Sequence, residues 1–255
     1  MKEFKARASS AGKLMTEAKG KSIKEQILDL QESIKNAKKR IDEAKNKSAK
    51  TYVELQDVKI PQWEAKIKEL ESLNDSVLLS ETSKTYIHEW LIEQIYGFRK
   101  EIKSKYIDKG NKLEDTAIDK AIEWLDLDFV MKNEESFEDE YFTGTPDIIT
   151  NDEILDTKCS WDAYSFPLFD KELPNKDYFY QMQVYMHLTG KKKARVVYVL
   201  LNTPEELTWE EKHDYGNMDK KYRIKDFVVE YDAEIIATLQ EKVKEARKYI
   251  ETINL

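Results

Sequence analysis

One stripe of apolar residues constrains this chain more than any other feature. Ile23, Ile27, Leu30, Ile34, Ala37, Ile41 and Ala44 follow one another at intervals of 4-3-4-3-4-3. An α-helix gathers such positions on one side, and a stripe this apolar has to be covered by another surface. Three heptads are short for a dimeric coiled coil, so the cover is expected from within the chain. A second amphipathic run opens at Pro61 and Trp63 and continues through Ile67, Leu70 and Leu73, with Pro61 at the first helical position, which proline tolerates. The two runs predict a helical hairpin over residues 23–75. The second helix offers four apolar positions against seven, so part of the seam is expected to stay uncovered. Another subunit, a partner protein or the rest of the chain would then cover it. Lys35, Lys38, Lys39, Arg40, Lys45, Lys47 and Lys50 make the outer end basic, which keeps a DNA-guiding arm open as well.

From Ser80 the pattern changes. Ser80-Glu81-Thr82-Ser83 reads as a helix start, followed by Tyr86, Ile87, Trp90, Leu91 and Ile95 on one face and a stop near Gly97. Another helix is expected over about 109–126, with Leu113, Ala117, Ala121, Ile122 and Leu125 inward. Short β-type runs follow at Tyr141-Phe142, Ile148-Ile149 and Ile154-Leu155, separated by Gly144, Pro146 and Asn151-Asp152. A helix over 176–189 precedes a near-continuous apolar run, 195–201, of the kind found in central strands. A strand over 224–231 and a helix over 232–252 complete the pattern. The fold class is α/β, with a mixed central sheet flanked by helices and a helical hairpin near the N-terminus.

Composition narrows the chemistry. The 255 residues carry 42 Lys+Arg, 50 Asp+Glu, three His and one Cys, for a net charge of −8. A single cysteine, Cys159, excludes an internal disulfide, a four-cysteine cluster and a four-cysteine zinc site, so any bound metal should rest on oxygen ligands. No apolar run approaches the roughly 18 residues of a membrane span, and the N-terminus lacks a secretory signal. A protein without membrane attachment, in a reducing cytoplasm, is expected. The acidic total argues against coating nucleic acid in bulk, yet basic clusters remain. Residues 1–22 hold six Lys/Arg and two acids, and 99–112 hold Arg99, Lys100, Lys103, Lys105, Lys109 and Lys112 against Glu101 and Asp108. Such clusters are either solvated helix faces or a track for phosphates.

The segment Gly144-Thr-Pro-Asp147 to Asp156-Thr-Lys158 concentrates the chemistry. It reads as strand, tight turn and second strand, so alternation sends Asp156 and Lys158 to one face with Thr157 opposite, and pairing brings Asp147 beside Asp156. Two carboxylates near one ammonium suit a divalent ion and an activated water, but they also describe a surface hairpin with an ordinary ion pair. Upstream, Glu114 is expected in the first turn of its helix, aimed at the same metal or simply favoured by the helix dipole. Gly110 there would let another backbone come close. Downstream, Gln181 and Tyr185 share a helix face, pointing into the site or lying along a polar edge beside a core tyrosine. His88 reads as a structural histidine on a helix edge. Trp161 reads as a rim or core aromatic, with base stacking as the alternative.

In chain order, Lys109-Gly110-x-x-x-Glu114, Pro146-Asp147, Asp156-x-Lys158 and Gln181-x-Gln183 resemble the PD-(D/E)xK nuclease superfamily. Within it the chain looks like the YqaJ-type viral recombinase group of lambda-exonuclease-like phage exonucleases. Arg7 to Met15 resembles that group's opening Arg…Ser motif. The resemblance spans residues 1–16 and about 80–231 and leaves 23–75 unassigned. It implies a restriction-endonuclease-like core formed by 1–22 and 76–255. It further implies metal ligation by Glu114, Asp147, Asp156 and the Thr157 carbonyl, a catalytic Lys158, and a Gln181 that orients the attacking water or scissile phosphate. Arg7 and Ser10 would belong to a pocket for a terminal 5′-phosphate, and Tyr185 would face the substrate. One departure is Asp156, where much of the superfamily has the longer Glu. The implied activity is Mg²⁺-dependent hydrolysis of DNA, with Mn²⁺ substituting, most readily as a 5′-to-3′ exonuclease on duplex ends in phage-type recombination. A single-strand annealing protein and further copies of the chain are the implied partners. A structure-specific endonuclease on the same core and a non-catalytic DNA-binding relic are the alternatives.

Overall fold

The computed structural model describes residues 2–18, 21–43, 50–71, 78–127, 130–208 and 214–253. In chain order its elements are β1 (Ala6–Arg7), α1 (Ala11–Leu14), α2 (Ile23–Glu43), α3 (Lys50–Glu54), α4 (Ile60–Glu71), α5 (Glu81–Tyr96) and α6 (Lys105–Trp124). They continue with β2 (Phe137–Glu138), β3 (Phe142–Gly144), β4 (Ile148–Ile149), β5 (Ile154–Ser160), α7 (Lys176–Thr189), β6 (Lys193–Leu200), β7 (Ile224–Glu230) and α8 (Ala233–Thr252). The chain divides into two compact units, one of Met1–Thr16 with Glu81–Leu255 and one of Glu17–Ser80.

The larger unit is mixed α/β. Its main sheet has the order β4-β5-β6-β7, with β5 and β6 parallel and both outer pairs antiparallel. A parallel pair needs a crossover, and α7 lies in that connection, capped by Asn175, whose side chain accepts the Asp177 N–H. On one face of the sheet Leu155, Val197 and Val199 pack with Ala117, Ile118 and Ala121 of α6. Alternation sends Asp156, Lys158, Val196 and Tyr198 to the other face, where the Tyr178 ring of α7 meets that of Tyr198. A second, three-stranded sheet has the order β1-β3-β2. Its parallel β1–β3 pair makes the N-terminal segment part of the core: Phe4, Ala6, Ala8, Ala11 and Leu14 are all buried. Phe4 meets the Tyr86 and Trp90 rings of α5 edge-on. His88 is exposed on α5, with its Nε2 3.0 Å from the Tyr249 hydroxyl of α8. Among the described residues, no helix is long and apolar enough to cross a membrane.

Two expectations fail here. Helix α6 begins at Lys105, with Ser104 extended before it, so Glu114 sits mid-helix rather than in the first turn. The helix dipole therefore does not account for Glu114. Gly110 is interior too, and a Cβ there would meet nothing within 4 Å, so no backbone makes use of its small size.

In the smaller unit the chain is already helical at Lys50, well before Pro61. Pro61 has no N–H to offer the carbonyl four residues earlier. The helix absorbs the defect in a π-helical stretch, Leu55–Lys59, where Ile60 N–H reaches back to the Leu55 carbonyl. The longer partner helix adds Leu55 and Ile60 to the covering surface. Ile34 and Ala37 pack with Ile60 in a core flanked by Ile41, Leu55, Trp63 and Ile67. Along the seam Ile23, Ile34 and Ala37 are buried, while Ile27, Leu30 and Ile41 are half-buried. Ala44, Lys45, Lys47 and Leu73 lie outside the described residues.

These packings are measurable. Ile118→Ala, at the centre of the α6–sheet contact, should cost about 2–5 kcal/mol in urea unfolding. Leu28→Ala, on the exposed side of α2, should change stability by less than about 0.5 kcal/mol. Equal losses would show that the core boundary is drawn wrongly.

Candidate active site

The site forms where β4 ends before β5 does. The register pairs Ile148 with Leu155, so Asp147 comes opposite Asp156 just as regular pairing stops. Beyond that point the edge of β5 is open. There Thr157 N–H and Thr157 Oγ1 both donate to Asp147 Oδ2, each at 2.7 Å. In an extended strand a residue's N–H and C=O point to the same side, so the Thr157 carbonyl faces this open edge as well. Lys158 forms an ion pair with Asp156 Oδ2, and its Nζ lies 4.7 Å from the centre of the Tyr178 ring. Gln181, buried on α7, donates from Nε2 to Asp156 Oδ1 at 3.3 Å and to the Tyr185 hydroxyl at 2.9 Å.

The electrostatics follow from this crowding. Burial first, and the Asp156 charge second, push the Asp147 carboxyl up to about 7 against the opposing Thr157 donors and Lys158. Burial works against the Lys158 ammonium too, but the charge and hydrogen bond of Asp156, then the charge of Asp147, outweigh it and raise its pKa. Burial, and next the Asp156 charge, likewise hold the Tyr185 phenol neutral well above the ordinary tyrosine range.

Glu114 lines the same cleft as Asp147, Asp156, Lys158, Gln181 and Tyr185. Its carboxylate, however, accepts from Lys132 Nζ at 2.8 Å, which also holds Asp115 at 2.7 Å. Among the described residues no three acidic, His or Cys side chains stand close enough together to form a ready-made ion cage. The donor chemistry nevertheless fits a hard divalent cation. Asp147 and Asp156 converge, the backbone offers a carbonyl, and these three donors are all oxygen.

Arg7 and Ser10 sit apart from this pair, in a smaller cavity with Lys13, Tyr86, Glu93 and Arg99. Arg99, Lys100 and Ile102 wall both that cavity and the main cleft. Arg7 makes a two-pronged ion pair with Glu93, with Nη1 to Oε1 at 3.2 Å. The hydrogen bond to Glu93 raises the Arg7 pKa, and the same bond lowers that of Glu93.

Two supporting residues were not given a role by sequence reasoning. Lys109 is fully buried, and its Nζ donates to the carbonyls of Trp161 and Leu201, both at 2.7 Å. It ties the chain just past β5 and β6 to helix α6. Burial lowers its pKa. Gly144 is the other: a Cβ there would lie 2.6 Å from Tyr185 Cε1 and 2.9 Å from the Ala8 Cβ. The glycine ahead of Thr-Pro-Asp is the one signal that could have revealed this close approach.

No family model matches this sequence, nor does any curated protein. Solved structures do. A phage-related exonuclease from Haemophilus somnus 129PT is 27% identical with a TM-score of 0.68, over 97% of this chain and 94% of its own. That coverage leaves out fewer residues than the Glu17–Ser80 unit contains, so the likeness extends into both units. An alkaline exonuclease from Laribacter hongkongensis is 18% identical with a TM-score of 0.53, over 69% of this chain and 84% of its own. Its complex with dAMP gives 18%, 0.51, 68% and 81% respectively. At that identity the likeness is one of fold.

A raised carboxylate pKa links this site to stability. The folded form is favoured most while Asp147 is protonated, below the ordinary carboxylate range, and the advantage is lost as pH rises to and through about 7. In chelator, Asp147→Asn should therefore melt higher than the parent at pH 8.5, with the difference shrinking toward pH 5. Parallel melting-temperature profiles for the two proteins would contradict the assigned cause.

Proposed function

We propose that this protein is a metal-dependent deoxyribonuclease that degrades duplex DNA from its ends, in the 5′-to-3′ direction. One observation carries the reading: Asp147, Asp156, Lys158 and Gln181 converge at the open edge of β5. The 27% identity to a phage-related exonuclease along almost the whole chain supports exonuclease over other phosphodiester chemistry.

Asp147, Asp156 and the Thr157 carbonyl would hold Mg²⁺ or Mn²⁺, with Glu114 joining once it leaves Lys132. When bound, such an ion polarises a phosphoryl oxygen and makes a water acidic enough to attack. The chain's own groups then have distinct tasks. Lys158, kept protonated by Asp156 and Asp147, stabilises the negative charge that builds on the phosphate. Gln181 is held by Tyr185, so its amide is fixed beside Asp156 rather than free to turn. Arg99, Lys100 and Lys103 on the cleft wall suit the phosphates of the bound strand. Arg7 and Ser10 suit a terminal phosphate, which would have to displace Glu93 from the Arg7 guanidinium. A place in phage-type recombination, beside a single-strand annealing protein, fits this activity.

End-labelled linear duplex and covalently closed circular duplex discriminate the readings. With Mg²⁺ or Mn²⁺ the linear DNA should be lost from its 5′ ends while the closed circle survives. Ca²⁺, whose looser geometry activates water poorly, should suppress the reaction. Lys158→Ala and Asp147→Ala should each lower the rate at least about 100-fold with an unchanged circular dichroism spectrum. Cleavage of the closed circle would indicate an endonuclease, and undiminished activity in excess chelator would end the metal-dependent reading.

A further inference from the structure

Trp161 is the first residue past β5, three positions beyond Lys158. Its backbone is pinned: the carbonyl accepts from the buried Lys109 Nζ at 2.7 Å and from Thr203 Oγ1 at 3.0 Å. The indole itself is not buried, and it lines the same cleft as Asp147, Asp156 and Lys158. The Tyr106 ring, 59% exposed, meets it edge-on at 5.2 Å and 74°. Lys105 Nζ stands 4.8 Å from the centre of the indole and 5.5 Å from that of the phenol.

Packing does not explain this corner. The carbonyl ties would hold the loop in place whatever side chain stood at 161, and a mostly exposed Tyr106 gains little from burial. The features together are a rigid aromatic corner, an ammonium beside it, and Arg99, Lys100 and Lys103 on the same cleft wall. We infer that Trp161 and Tyr106, with Lys105, form a stacking subsite for an unpaired nucleobase of the strand that enters the cleft. Base faces inside a duplex are already stacked on their neighbours, so only a terminal or unpaired base can offer a free face. Lys105 then meets the adjoining phosphate. The subsite accepts any base, because every base has a π-face. It rests on the nuclease reading only in taking the cleft's ligand to be a DNA strand.

The test separates this subsite from that reading by measuring binding without chemistry. The probes are a short single-stranded oligodeoxynucleotide carrying 2-aminopurine and an abasic oligomer of equal length and charge, both in chelator. The expected result is quenching of 2-aminopurine by the parent protein, and an affinity for the base-bearing oligomer that falls roughly tenfold or more in Trp161→Ala. Trp161→Phe should keep most of that affinity, Tyr106→Ala should lose part of it, and the abasic oligomer should bind parent and variants alike. The inference is overturned if Trp161→Ala binds the base-bearing oligomer as the parent does. It is equally overturned if the variant loses affinity for both oligomers to the same extent, which marks a packing role. Trp161-dependent stacking in a protein that cleaves no DNA would uphold the subsite and defeat the nuclease reading. Nuclease activity with no dependence of binding on Trp161 would do the reverse.

Discussion

Asp147 and Asp156 are brought face to face in a corner that water enters poorly, and the surrounding structure answers the repulsion between them. The corner exists because β4 stops while β5 continues, leaving the Thr157 N–H without a strand partner. A buried amide without an acceptor is costly, and the Asp147 carboxylate satisfies both it and the Thr157 hydroxyl. Lys158 and Gln181 act on Asp156 from the opposite side. Even so, burial first and the Asp156 charge second push the Asp147 carboxyl up to about 7.

The cleft around that corner carries both signs of charge. The paired Asp147 and Asp156 line it together with Arg99, Lys100 and Lys103, while Glu114, which also lines it, is held by Lys132. An extended polyanion can follow such basic residues and present one phosphate to the acidic pair, provided a cation lies between them. By donating to the Trp161 and Leu201 carbonyls, Lys109 ties the points where β5 and β6 give way to loops, and so sets the relation between β5 and the rim aromatics. A helix that carries Gly110 in its interior would otherwise be a weak scaffold, since glycine costs about 1 kcal/mol there relative to alanine. The buried ammonium ties that helix to the sheet at the same point.

The helical unit follows a different logic. The second half of its seam, Ile34, Ala37 and Ile41, packs with Leu55 and Ile60 because the chain is helical much earlier than Pro61 suggests, and the π-helical stretch lets that helix continue through the proline. Leu28, Val53 and Val58 are exposed, scattered singly rather than gathered in a stripe. The likeness to the phage-related exonuclease, over 97% of this chain, runs into this unit too.

The sequence by itself determined what local rules control. Heptad spacing specified α2, turn residues at 151–152 specified the β4–β5 hairpin, and strand alternation placed Asp156 and Lys158 on one face. The resemblance named Asp147, Asp156, Lys158 and Gln181 together, and the structure brings all four into one cleft. What local rules do not control was decided in three dimensions. Helix α6 begins at Lys105, earlier than its spacing suggests, and Lys109 within it reaches two distant carbonyls, across 92 residues of sequence in the case of Leu201. Lys132 holds Glu114 away from the acidic pair, and Glu93 occupies Arg7 across 86 positions. Periodicity reports which face of an element is buried, but which charge meets which depends on how separate elements pack. That packing is cooperative, and it leaves no trace in the spacing of neighbouring residues.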